Sequence, residues 1–415
     1  MMGSVTDPRL FVLMGSGETS PTMIDVHRGL AERLAPDARG SALLLDTPYA
    51  FQENAPSISA RAQKYFADSV GLTVEVAPDE PDAAAATIRT AAWVFAGPGS
   101  PTYALDHWRN GAVQRALHER LRAGSGITVL ASAAAVTVGS VALPVYEIYK
   151  VGATPHWMPG LGLTEELGLD VAVIPHYDNT EGGTHDTRYC YLGERRLTML
   201  ESELPEGGGV LGIDEHTAVV IDLQTQELSV VGRGRLVVRR SGHDTVFASG
   251  SRLTIADIMA ILSGSAPAVS TPVEAAPPPE APASRTLVEV TRKAEARFGA
   301  AQSERDARAM VEAILDLESA ICEWAADTEE DEGTDLARDV LRGLITRLGE
   351  AATGGLRDPD DVVRPLVEPI LSLRERLRVG GAYDTADSLR DIVTSAGIEV
   401  HDTGGGTAWT TADRD

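Results

Sequence analysis

The chain has 415 residues, more than one ordinary domain holds, and its length suggests about two or three domains. Its 61 acidic residues against 36 basic ones leave a formal charge of −25, which excludes an extended nucleic-acid or anionic-membrane surface and leaves room only for local basic patches. Cys190 and Cys322 lie too far apart in sequence to suggest a disulfide framework or a zinc ribbon. No apolar run approaches the roughly 20 residues that span a bilayer. The N-terminus lacks a basic-then-apolar leader pattern, so a cytoplasmic protein that needs no cofactor and meets no membrane is expected.

Leu10 to Met14 and Ala42 to Leu45 are short apolar runs that stop at Gly15-Ser16-Gly17-Glu18 and at Asp46-Thr47-Pro48, the pattern of buried parallel strands with loops at their carboxyl ends. Met23 to Leu34 and Ile58 to Val70 have helical spacing, Leu72 to Val76 and Ala92 to Ala96 read as strands, and Tyr103 to Leu121 as one helix. Ile127 to Leu130 then runs into Ala131-Ser132-Ala133-Ala134-Ala135. An apolar strand that meets one hydroxyl and continues in small helix formers is the pattern of a nucleophile elbow, which lifts the serine oxygen from the sheet and aims the following amides at a developing oxyanion. The competing reading is a buried strand ending at an N-cap serine.

Val171 to Ile174 is a further strand, delivering Pro175-His176-Tyr177-Asp178-Asn179 and then a polar loop with Glu181, His185, Asp186 and Arg188 into a helix predicted over Tyr189 to Leu200. Gly209 to Ile213 reaches Asp214-Glu215-His216-Thr217, and alternation through Val238 predicts a small antiparallel edge. Strand, loop and helix repeated with short connections predict an α/β doubly wound, mostly parallel sheet over residues 8–263, with ligands outside the strand carboxyl ends. Residues 264–285 are an Ala/Pro-rich linker. Over 286–415 helical spacing predominates, with Val311, Ile314, Leu315 and Cys322 on one stripe and Leu336, Val340, Leu344 and Leu348 on another. Glu329 to Glu332 reads as a solvated loop. This half is expected to be a small all-α bundle with a short β-like tail.

Ser132, His176 and Glu215 each follow a strand expected in one sheet. A serine needs a base to take its proton, and the base needs a carboxylate to fix its tautomer, so the three suit acyl transfer. A metal site is the rival: His176, Asp178, Glu181, His185 and Asp186 could bind a divalent ion with help from Glu18, Asp46 or His216.

Residues 10–222 resemble the cyanophycinase and aspartyl-dipeptidase family of serine peptidases, whose fold is that of class I glutamine amidotransferase domains. The resemblance is carried by Gly15-Ser16-Gly17-Glu18, Gly99-Ser100-Pro101-Thr102-Tyr103, Ala131 to Ala135, Pro175-His176-Tyr177 with His185 and Thr187-Arg188, and Gly212 to Ala218. It implies hydrolysis of a peptide or small amide by Ser132, with His176 as base and Glu215, or Glu147 fifteen residues past the serine, as the orienting acid. It implies oxyanion donors on the loop at Gly99; Pro101 has no N–H to give, which leaves the amides of Gly99, Ser100 and Ala133. Glu18 and Arg188 are the substrate-binding candidates, Arg188 for a carboxylate, with an ion-pair role as its alternative. Ala134 stands where the family has glycine, so a non-catalytic relative with the fold intact is the alternative function. A homodimer accords with the resemblance.

Residues 287–410 resemble the C-terminal region of bacterial cysteinyl-tRNA synthetase, most sharply at Leu373-Arg374-Glu375-Arg376, Ala386 to Asp391, Gly397 to Val400 and Gly406-Thr407-Ala408-Trp409. That implies a tRNA or protein partner for 286–415. Fifteen basic against 28 acidic residues there, a net of −13, oppose RNA unless Arg374, Arg376, Arg378 and Arg390 cluster. Their alternative is a solvated face paired with Glu375, Asp387 and Asp391.

Overall fold

The computed structural model describes residues 8–124, 126–180, 185–205, 207–265, 286–325, 333–354, 359–403 and 406–411. The chain forms two compact units, Met1–Leu287 with Cys322–Glu332, and Val288–Ile321 with Gly333–Asp415.

In the first unit the strands are β1 (Arg9–Met14), β2 (Ala42–Leu44), β3 (Val74–Val76), β4 (Trp93–Ala96), β5 (Gly126–Ala131), β6 (Val141–Ala142), β7 (Met158–Pro159), β8 (Val171–Ile174), β9 (Gly209–Ile213), β10 (Thr217–Asp222), β11 (Glu227–Gly232), β12 (Arg235–Arg240), β13 (His243–Ala248) and β14 (Arg252–Thr254). The helices are α1 (Ile24–Ala31), α2 (Ala55–Tyr65), α3 (Pro81–Thr90), α4 (Pro101–Trp108), α5 (Ala112–Ala123), α6 (Ser132–Val136), α7 (Val145–Tyr149), α8 (Glu194–Glu201) and α9 (Ile255–Ser263).

Successive side chains of a strand point to opposite faces, and here both faces are buried. Leu10, Val12 and Met14 of β1 join Leu44, Trp93, Phe95 and Val129 in one cluster, closed by Leu30 of α1 and Ala62 and Tyr65 of α2. Phe11 and Leu13 join Leu43, Val94 and Leu130 in the other, closed by Ile88, Leu105, Trp108 and Leu117 of α3, α4 and α5. This α/β architecture explains the unbroken apolar runs in the sequence.

The strands form two sheets where one was expected. An eight-stranded sheet has the order β14-β11-β10-β1-β5-β4-β2-β3, and a six-stranded sheet the order β13-β12-β9-β8-β6-β7. In the first, β1, β5, β4, β2 and β3 are parallel neighbours, while β10 pairs antiparallel with β1 and β11. In the second, β8 lies parallel to β6 and β9. Val173, Leu211 and Val238 of the second sheet share the core of α3 to α5, so this sheet covers part of the same face.

Two expected helices are shorter than their spacing suggested. The one over Tyr103 to Leu121 is split into α4 and α5 at Asn110, whose φ is 60°, followed by Gly111. Tyr189, Cys190 and Tyr191 have φ of 63°, 54° and 64°, so the chain makes a left-handed turn there and the helix begins only at Glu194. Of the linker, residues 266–285 lie outside the described residues, as do Glu329 to Glu332.

The second unit carries all but the first residue of α10 (Leu287–Ser303), all but the last three of α11 (Ala307–Trp324), and α12 (Gly333–Gly354), α13 (Pro359–Val379), α14 (Tyr383–Ser395) and a hairpin of β15 (Ile398–Thr403) and β16 (Gly406–Thr411). On α11 the buried stripe is Met310, Ala313, Ile314 and Leu317, one position round from the expected one, leaving Val311 and Leu315 exposed. On α12 Leu344 is buried and Leu336 exposed. Val367, Leu371, Val393, Ile398 and Val400 pack together with Trp409, tying α13 and α14 to the hairpin. The arginines do not form one surface stripe: Arg374 is buried and donates to Thr407 Oγ1 at 3.5 Å, and Arg390 donates to the Val400 carbonyl at 3.5 Å.

Candidate active site

β5 ends at Ala131 in extended conformation, and Ser132, the first residue of α6, takes φ of 45°. A non-glycine residue in the left-handed region is strained, and here the strain turns the hydroxyl out of the strand path. Ala133, Ala134 and Ala135 are buried, so small side chains are what this turn accepts. The Ala134 N–H donates to the Gly97 carbonyl at 3.2 Å, joining the elbow to the loop after the neighbouring strand β4.

In that loop Gly99 has φ of 132°, and a Cβ built on it would stand 2.1 Å from the Pro48 oxygen. The Ser100 N–H donates to that same oxygen at 2.7 Å, and Ser100 Oγ accepts the Tyr103 N–H at 3.1 Å to cap α4. Ser100 is therefore committed to the fold and its amide faces Pro48. The amides of Gly99 and Ala133 have no acceptor among the described residues.

β8 delivers His176, whose φ is 47°. Its carbonyl accepts the Cys190 N–H at 3.1 Å and the Asn179 N–H at 3.2 Å, so the left-handed turn at 189–191 is hooked onto this residue. Tyr191 lies 6.3 Å from the His176 ring and 5.0 Å from Tyr149 of α7, between ring centroids. β9 delivers Glu215. His176 Nδ1 is 3.1 Å from Glu215 Oε1, and His176 Nε2 is 3.1 Å from Ser132 Oγ. An ionised carboxylate can only accept, so Nδ1 carries the proton and Nε2 is left to accept from the serine. Burial pushes the Glu215 carboxyl up, but hydrogen bonds from His176 and Asn179 outweigh it and hold the group below the usual carboxylate range.

Glu147 lies on α7, and no hydrogen bond joins it to His176; its Oε2 is buried without a partner among the described residues. Glu18 is wholly buried, with Oε1 2.6 Å from where a Cβ on Gly97 would stand, so it underlies the loop. The Glu18 carbonyl accepts from His27 Nε2 at 2.7 Å, and burial lowers His27 to about 4, keeping that ring neutral. Arg188 makes a two-pronged pair with Asp186, 2.9 Å at each contact, and takes up the ion-pair alternative.

The proposed metal ligands that are described, His176, Asp178, His185 and Asp186, are not assembled as a site. Among the described residues no three histidine, cysteine or acidic side chains gather as a metal would need, and Glu181 lies outside them. Asp178 Oδ1 instead accepts the Glu215 N–H at 2.8 Å, and His216 Nδ1 meets Thr22 Oγ1 at 2.8 Å.

Two contributors had no assigned role in the sequence. Asn179 Nδ2 donates to Glu215 Oε1 at 3.0 Å, and Pro48 anchors the loop at Gly99. Asn179 lies three residues past His176, and that was its only available signal.

No protein-family model matches the chain. Among solved structures, a peptidase from an acI-B1 Actinobacterium is similar over 60% of this chain and 97% of its own, with 20% identity and a TM-score of 0.47. A putative peptidase E protein from Listeria monocytogenes EGD-e is similar over 55% of this chain and 98% of its own, with 16% identity and a TM-score of 0.38. The cysteine–tRNA ligase of Halobacterium salinarum is 31% identical over 131 residues, 30% of this chain and 26% of that protein. That of Thermosipho melanesiensis is 37% identical over 70 residues, 16% of this chain and 15% of that protein. The chain is similar to peptidases in its N-terminal part and to cysteine–tRNA ligases towards its C-terminus. It spans about a quarter or less of the length of those ligases. No helix among the described residues is long and apolar enough to cross a membrane.

Chemically, a serine oxygen touching an imidazole whose other nitrogen is held by a carboxylate can pass a proton from oxygen to nitrogen as the oxygen attacks an electrophile. Two free amides on the adjoining turns are suited to a developing negative charge.

Proposed function

We propose that residues 8–263 are a serine-dependent hydrolase of amide or peptide bonds. The observation that carries this reading is the hydrogen-bonded chain Ser132–His176–Glu215, with the serine held at positive φ where a strand meets a helix. Ser132 Oγ attacks the carbonyl carbon while its proton moves to His176 Nε2. The amides of Gly99 and Ala133 take the oxyanion, and His176 then protonates the leaving amine. Water, deprotonated by His176, releases the acyl group, and Glu215 stays ionised throughout. Because Arg188 is engaged by Asp186, substrate carboxylate binding is not assigned to it.

The test is labelling with a fluorophosphonate probe and mapping the adduct by mass spectrometry. Modification of Ser132 in the wild type, lost in Ser132→Ala and His176→Ala with folds intact, is the expected result. Unlabelled wild-type protein overturns the reading in favour of a non-catalytic relative.

A second reading concerns residues 286–415, the module beyond the proposed linker. The similarity to cysteine–tRNA ligases favours a recognition role, and the net charge of −13 with Arg374 buried favours a protein partner over tRNA. Titrating the full chain with tRNA at low and high salt tests this; salt-sensitive binding would reverse the preference.

A further inference from the structure

Glu215 is held at both ends by the two residues that follow His176-Tyr177. Its backbone N–H donates to Asp178 Oδ1 at 2.8 Å, and its Oε1 accepts from Asn179 Nδ2 at 3.0 Å. That oxygen is the one that receives His176 Nδ1 at 3.1 Å. Asn179 is fully buried, and its own N–H donates to the His176 carbonyl at 3.2 Å, so the amide and the imidazole are fixed in one short turn. The orientation of the amide follows from chemistry: a carboxylate offers no proton, so the nitrogen must face it.

We propose that Asn179 is the positioning residue of this site, orienting the Glu215 carboxylate so that one oxygen serves His176, with Asp178 fixing the backbone beneath it. The kinetic consequence rests on the hydrolase reading above, but the geometry does not. Without the amide, Glu215 rotates about its terminal bonds and shares its oxygens unevenly with the imidazole, and the tautomer that lets Nε2 accept from Ser132 is held less firmly. Groups facing the pair are Asp178, engaged by the Glu215 amide; His216, engaged by Thr22; and the Cys190 thiol, which burial first and Glu215 second push up to about 12 and so keep neutral. Asn179 is thus a neutral donor that shares the Glu215 oxygen with His176.

The test uses the full chain and two readouts. The first is the far-downfield proton resonance of His176 Nδ1–H in the wild type, Glu215→Gln, Asn179→Ala and the near-isosteric Asn179→Asp, each checked for folding by circular dichroism. The second is the rate of fluorophosphonate labelling against pH. We expect the resonance in the wild type, its loss in Glu215→Gln, and its broadening or shift in both Asn179 variants. Labelling should slow about 10- to 100-fold in Asn179→Ala with probe saturation unchanged. Asn179→Asp should also move the acid limb of the profile upward, since a second carboxylate favours protonated His176. A merely structural role would lower the melting temperature and leave resonance and acid limb in place. If wild-type protein takes no label, the hydrolase reading fails while the resonance still decides the role of Asn179. A resonance unmoved in both folded Asn179 variants overturns the inference.

Discussion

Replacing Gly99 with alanine loads the turn after β4 at its tightest point. At φ of 132° an L side chain is disfavoured, and the added Cβ would stand 2.1 Å from the Pro48 oxygen and 2.8 Å from the Tyr49 nitrogen. Those atoms are backbone, so they cannot swing aside as a side-chain tip would. Either the segment around Pro48 moves or Gly99 rotates, and both routes break the 2.7 Å bond from the Ser100 N–H to Pro48. Backbone strain contributes about 1–3 kcal/mol, overpacking a similar amount, and the lost hydrogen bond about 1 kcal/mol. These share one rearrangement and do not add fully, so about 3–5 kcal/mol of destabilisation is expected. For a unit of this size that lowers Tm by roughly 6–20 °C. If the Gly99 amide serves an oxyanion, its displacement costs a further ~100-fold in labelling rate at temperatures where the variant is folded. Calorimetry reads the first effect and fluorophosphonate kinetics the second. A melting temperature within about a degree of wild type would refute the steric reasoning, and an unchanged labelling rate would refute the assigned donor.

Glu215→Gln should slow labelling by about 1,000- to 10,000-fold, while Glu147→Gln should change it by less than about three-fold; the reverse order would make Glu147 the orienting acid. The folded-state pKa of Glu215 is depressed, so its contribution to stability is present above the ordinary value of 4.5 and is lost as pH falls below that value; acid titration of the wild type against Glu215→Gln should show a steeper loss in the wild type. Arg120 is buried and donates to the carbonyls of Ile88, Ala91 and Ile127 and to Thr128 Oγ1. Arg120→Met strands those acceptors and should cost about 3–5 kcal/mol by denaturant titration, with Ser132 labelling unchanged in the folded protein. Arg188→Ala breaks a half-exposed pair with Asp186 and should cost less than about 1 kcal/mol; a large rise in KM for an acidic peptide, with stability unchanged, would restore Arg188 to substrate binding.

The core strands were legible because both faces of β1, β4, β5 and β8 are buried, and burial on both sides writes itself as an apolar run. Ser132, His176 and Glu215 were legible for a related reason, each standing at the first polar positions after such a run. What the sequence hid is set by backbone conformation and distant contacts. The left-handed turn at Tyr189 to Tyr191 carries residues that suit a helix, and it is held by a bond to His176 across the loop. Ser100 looked as free as Gly99 until Pro48, from a separate loop, took its amide. The second sheet was hidden because strand spacing along the chain does not say which neighbours pair. On α11, Ile314 lies at the edge of the buried stripe, so periodicity alone left the face undecided by one position.

Ser132, His176 and His216 all stand at positive φ, with values of 45°, 47° and 53°, just after the ends of β5, β8 and β9. Each carries strain that a loop alone would relax. Here each is tied to a buried element: Ala134 to Gly97 behind the serine, Cys190 and Asn179 to the His176 carbonyl, and the His216 N–H to the Ser16 carbonyl at 3.1 Å. The doubly covered sheet is what lets these ties hold, since β1, β4 and β5 cannot shift without opening both apolar clusters. Ala134 fits the same logic. Its side chain is buried in the core and its N–H is bonded to Gly97, while the Ser132 oxygen stands within hydrogen-bonding distance of the imidazole.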